Sequence, residues 1–113
     1  PVSQESFDIE MASGFIGIKN TGNTAIFEYQ ITSQENTELH ISYNTGHFKF
    51  MGFTQEYHQD NQLKAENDEI ILSQTGQNHY LILFKKLVSK TESISYEIIT
   101  DGGSITGEVI TDR

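Results

Sequence analysis

From Ala25 to Thr32 apolar and polar side chains alternate, with Ala25, Phe27, Tyr29 and Ile31 on one side and Glu28, Gln30 and Thr32 on the other. Side chains of an extended chain point to opposite faces in turn, so this period of two marks a half-buried β-strand. The same rhythm recurs at Phe7, Ile9 and Met11, at Phe15, Ile16 and Ile18, at Leu39, Ile41 and Tyr43, and at Ile94, Tyr96 and Ile98. It predicts eight or nine strands.

Between the runs lie turn formers. "NTGN" at 20 to 23, "SKTE" at 89 to 92 and the pair Gly102 and Gly103 each read as a break, because glycine and asparagine enter the backbone conformations of tight turns at low cost. "NTG" at 44 to 46 predicts a hairpin joining Leu39–Tyr43 to Phe48–Phe50, with His47 opposite Tyr43 or Asn44 and Gly46 at positive φ. Gly52 is expected to bend or bulge the second arm. "QTGQN" at 74 to 78 reads as a turn between "EIILS" and "HYLILFKKLV", the most apolar run and so the expected middle of a sheet. Residues 54 to 67 lack a strand pattern and are expected to form a long loop or a short helical turn near Leu63 to Glu66. Turns spaced roughly 8 to 12 residues apart point to one antiparallel β-sandwich domain over residues 1–113.

Three segments resemble a known class. "GFIGIKNTGNTAIFEYQI" is similar to the early strand pair of immunoglobulin-like modules in prokaryotic surface proteins, archaeal surface filaments and phage structural proteins. "EIILSQTGQNHYLILF" and "ESISYEIITDGG" look like the back half of such modules. The resemblance implies an all-β, immunoglobulin-like sandwich. "IKN" followed by "AIFEY" is also similar to small intracellular proteinase-inhibitor sandwiches.

Composition narrows the function. The net charge is -9, and the single Arg is the last residue, Arg113. Phosphate recognition relies on Arg forks and clustered basic groups, which argues against nucleic-acid binding. There is no cysteine, hence no disulfide or thiolate chemistry. The longest apolar run, Tyr80 to Phe84, falls far short of the roughly 20 residues that span a bilayer, so no membrane insertion is expected. No Asn-x-Ser/Thr sequon occurs. Pro1 opens the chain with no charged or apolar leader, as in a processed form or one that has lost its initiator Met. The expected location is extracellular, cell surface or virion, with a cytoplasmic one open.

Candidate chemistry is sparse. His40, His47, His58 and His79 share no ligand spacing, so no transition-metal site is expected. Within the acidic cluster Glu56, Asp60, Glu66, Asp68 and Glu69, Asp60, Asn61, Asn67 and Asp68 have calcium-ligand chemistry but lack the DxDxDG spacing, as a solvated acidic loop would. No GxSxG or phosphate-binding glycine loop is present, and no cofactor is expected. Tyr43, Phe48, Phe50, Phe53 and Tyr57 crowd a short stretch; Phe53 and Tyr57 run into the acidic segment, where exposed aromatics would mark a partner site. At the N-terminal end Phe7, Ile9 and Met11 lie on a strand that could add to a neighbour's sheet, in which case deleting residues 1–12 would abolish assembly and leave a folded monomer. The expected role is a non-enzymatic structural or assembly subunit that binds copies of itself or a neighbouring protein at sheet edges and loops. The alternative is a binding module or protein inhibitor presenting the 54–67 loop to a protein or carbohydrate.

Overall fold

The computed structural model describes residues 2–57 and 61–111. Eight antiparallel strands carry the fold: β1 (Val2–Ile9), β2 (Ala12–Thr21), β3 (Thr24–Ser42), β4 (Phe48–Gln55), β5 (Asn61–Glu66), β6 (Glu69–Lys86), β7 (Glu92–Thr100) and β8 (Gly103–Thr111). No helix occurs among the described residues. The alternation seen in the sequence is realised directly: Ala25, Phe27, Tyr29 and Ile31 are fully buried, and so are Leu39, Ile41, Ile94 and Ile98.

The architecture rests on two long strands. The first half of β3 pairs with β2 and with the second half of β6; its second half pairs with β7 and with the first half of β6. β6 in turn carries β4 along its second half and β5 along its first. One layer is thus β1-β2-β3-β6-β4 and the other β8-β7-β3-β6-β5, with β3 and β6 running through both. The crossing is marked by a register shift between Ser33 and Thr37 on β3, facing Gln74 to Gly76 on β6. Such irregularities let a strand bend from one sheet into another, and Gly76, at φ 91°, takes the bend on β6. Across the bend odd residues of β3 and even residues of β6 stay inside. The result is an all-β antiparallel sandwich of immunoglobulin-like type.

Aromatic rings fill the space between layers. Phe7 stacks on Tyr29 and Tyr29 on Tyr80, with centroids 6.2 and 6.0 Å apart. Tyr43, Phe48 and Phe50 surround Phe84 edge-on at 5.0, 5.9 and 6.1 Å. Phe27 meets Tyr96 across the layers at 6.5 Å. Offset and edge-on pairs like these add about 0.5–1.5 kcal/mol each beyond area burial.

Four local expectations are corrected. β3 is one strand: the polar run Gln34–Glu38 is the bend itself, not a break between two strands. β6 likewise continues through "QTGQN". The hairpin at 44 to 46 does not form, because β3 and β4 are not neighbours and β6 lies between them. Asn44 makes that corner instead, its side chain accepting from Gly46 N at 2.8 Å and its carbonyl from His47 N and Phe48 N, so Gly46 needs no positive φ. Residues 61–66 form β5 against β6, with Leu63 packed on the core, where a long loop or helical turn was expected. The bulge foreseen at Gly52 is present, between Phe50 and Gly52 at φ 128°, and β6 does lie mid-sheet.

Candidate functional site

The residues singled out for partner binding do not come together. Phe7 is buried in the aromatic stack. Ile9 and Phe53 pack on the core, and Met11 sits in the turn between β1 and β2 at φ 74°. Tyr57 alone stays exposed, on a backbone clamped by buried Asn78, which accepts from Tyr57 N and donates to Tyr57 O. Asp60, His58 and the Asn61 side chain lie outside the described residues. Asn67, at φ 56°, and Asp68 form the tight turn between β5 and β6. Among the described residues no three acidic or histidine side chains converge as metal ligands.

Each described histidine is engaged by carboxylates. His79 lies between Glu28 (2.6 Å) and Glu56 (3.4 Å) on opposite ring nitrogens, and His40 between Glu38 (2.9 Å) and Glu69 (3.9 Å). His47 meets Glu92 at 3.0 Å, and Lys90 reaches the same oxygen at 3.3 Å. Partial burial pushes the Glu92 carboxyl up, but His47 and Lys90 outweigh it and hold it below the ordinary carboxylate range.

The two outer faces carry a clearer signal, which follows from the register. On the first layer the outward positions form cross-strand rows: Gly17, Glu28, Leu81 and Thr54; then Lys19, Ile26, Leu83 and Gly52; then Thr24, Lys85 and Lys49. Ile26, Leu81 and Leu83 are half-buried neighbours at the centre, Met51 in the bulge beside them is 57 % exposed, and Phe15 is 43 % exposed on β2. The end of this apolar patch is basic. Lys49 and Lys85 are directly paired, a like-charge arrangement that costs stability, and Lys19 lies in the adjoining row. Among the described residues none of these three lysines is within ion-pair distance of a carboxylate.

The second layer is the opposite in character. Its outward rows are Lys64, Ile71, His40, Glu97 and Thr106, then Glu66, Glu69, Ser42, Ser95 and Glu108, then Glu38 with Ile99 and Ser104. A shallow groove of about 400 Å³ runs along it, lined by His40, Glu69, Glu97, Glu108 and serine hydroxyls. Carboxylates and hydroxyls in this density accept hydrogen bonds from ammonium groups. Sequence reasoning missed both faces because each is assembled from four or five strands by register alone; the signal present was the outward residue set of each run.

No protein-family model matches the sequence, and no curated protein matches it either. Solved structures do. The chain is similar in fold to the C-terminal domain of the AgI/II polypeptide BspA of Streptococcus agalactiae, with a TM-score of 0.68 and 8 % identity over all of this chain and 50 % of that one. A second structure, named as the wild-type BspA C-terminal region, matches at a TM-score of 0.65 with the same identity and coverage. The chain therefore spans about half the length of these two structures. At 8 % identity the likeness is one of fold, and it carries no shared site residue.

Proposed function

We propose that this chain is a non-enzymatic protein-interaction module of a surface protein or surface assembly, working through the outer faces of its sheets. The observation that carries the reading is the first-layer face, where an apolar patch of exposed Met51 and half-buried Leu83, Leu81 and Ile26 abuts three lysines that have no carboxylate within ion-pair distance among the described residues, on a chain of net charge -9. Packing of the fold does not require Lys49 beside Lys85; a covering partner would offset their repulsion. The fold shared with a streptococcal AgI/II polypeptide domain supports a surface setting, extracellular or on a cell or virion. Contacts with a neighbouring subunit or a second copy fit this face better than the 54–67 loop does, since most of that segment is strand. Lysine acetylation footprinting tests the reading on the native surface or assembly that bears the chain. Lys19, Lys49 and Lys85 are expected to be protected there and reactive in the isolated domain, while Lys90, in the turn between β6 and β7, reacts equally in both. Equal reactivity of all four would overturn it.

A further inference from the structure

The partner of the first-layer face is identified by its chemistry: apolar at the centre and cationic at one end. A complement must be anionic and rich in hydrogen-bond acceptors. The second-layer face of the same chain has those properties, with Glu38, Glu66, Glu69, Glu97 and Glu108 presented outward on one β-surface. It also has Ile71 and Ile99 to meet apolar side chains. Both faces are built on the two halves of β3 and β6, so they match in width and strand spacing, as two sheets stacked face to face must.

We propose that the lysine-bearing outer face of the first layer docks on the acidic outer face of the second layer of another copy, giving a head-to-tail series of this chain. This inference rests on the reading above and adds the identity of the partner. The contact is heterologous, one face meeting a different one, so it leaves a free face at each end and generates an open series rather than a closed dimer. The second layer's share of β3, Thr37–Ser42, runs about 20 Å at ~3.3 Å per residue and its five strands span about 24 Å at ~4.8 Å spacing, so the contact is on the order of 480 Å², below the ~800 Å² per partner of a standard interface. A single contact is therefore weak, and the series forms only at high local concentration.

Sedimentation velocity from micromolar to millimolar protein tests this. Wild type is expected to give a concentration-dependent ladder of oligomers. Lys49→Gln/Lys85→Gln, which keeps the acidic face, and Glu97→Gln/Glu108→Gln, which keeps the basic face, should each weaken association about tenfold or more without lowering the melt, the first raising it slightly as the Lys49–Lys85 repulsion is relieved. Mixed together, the two variants should form a 1:1 pair that grows no further. All four positions face outward; if a double variant melts early, Lys85→Gln and Glu97→Gln alone serve the same comparison. A wild-type monomer at millimolar concentration, or no pairing in the mixture, would sink the inference while leaving the footprinting result free to stand. A closed dimer that survives Glu97→Gln/Glu108→Gln would also sink it, showing that the lysine-bearing face is an interface of another kind.

Discussion

Tyr96 donates its hydroxyl to Glu5 Oε2 at 3.0 Å, joining β7 of one layer to β1 of the other across 91 positions of sequence. The ring reaches that far because the facing residue on β8 is Gly107: a Cβ there would lie 2.5 Å from the Tyr96 hydroxyl. Tyr96→Phe is expected to cost about 2 kcal/mol, the range for a hydrogen bond to a charged group. Gly107→Ala should cost a comparable amount by displacing the ring, and denaturant melts of the two variants and their double mutant would show non-additive losses.

The same contact sets an alkaline limit. Burial, then the Glu5 hydrogen bond and charge, push the Tyr96 phenol up to about 12. A folded value above the ordinary ~10 means that the folded state holds its proton more tightly. That stability is fully present below about pH 10 and is lost as pH rises toward about 12. A spectrophotometric phenol titration should show Tyr96 ionising well above the ordinary ~10, and Tyr96→Phe should flatten the loss of stability over that interval.

Glu35, in the bend of β3, faces Asp101 in the turn between β7 and β8. A hydrogen bond and the negative charge from Asp101 raise its carboxyl above the usual range. A raised folded value contributes stability only at low pH, and at neutral pH the two anions oppose folding. Glu35→Gln should therefore raise the melting temperature at pH 7, with the gain shrinking as pH falls through the raised folded value and gone below the ordinary carboxylate value of about 4.

Gly14 is opposite Ile31 on β3, where a Cβ would come 1.8 Å from the Gln30 carbonyl oxygen. Backbone cannot retreat there without breaking the β2–β3 ladder. Gly14→Ala should destabilise by several kcal/mol, about 3 or more, whereas Gly22→Asn, at φ 62° with open space around it, should be tolerated.

Removing residues 1–9 is expected to unfold the domain, contrary to what the sequence pattern suggested for this end. Phe7 supplies one ring of the central stack and Glu5 anchors Tyr96; Phe7→Ala alone should cost about 3 kcal/mol. Circular dichroism of the truncated chain checks this directly.

Strand existence was legible where a strand buries alternate residues, as at Phe27, Ile41 and Ile98; β5, with none of its described side chains fully buried, read as a loop or helical turn. Strand length was not legible. Gln34–Glu38 and Gln74–Asn78 are polar at the bend, where buried Gln74 donates to Ser33 Oγ and buried Asn78 holds the Tyr57 backbone, and polarity reads as a loop. Pairing was legible only where turns are tight, as at Gly103; Asn44 turns the chain away from its neighbour, and nothing local reveals that β6 inserts between β3 and β4. Phe53 and Phe7 were misassigned as sites for a related reason: an aromatic near a sequence break looks exposed until the opposing layer is known. The lysine-bearing face escaped because Lys19, Lys49 and Lys85 are far apart in sequence and meet only through register.

Because β3 and β6 belong to both layers, neither layer can melt while the other survives. Amide protons along these two strands should exchange only through complete unfolding, and a pulling force entering at either layer would be borne by the same pair of continuous backbones.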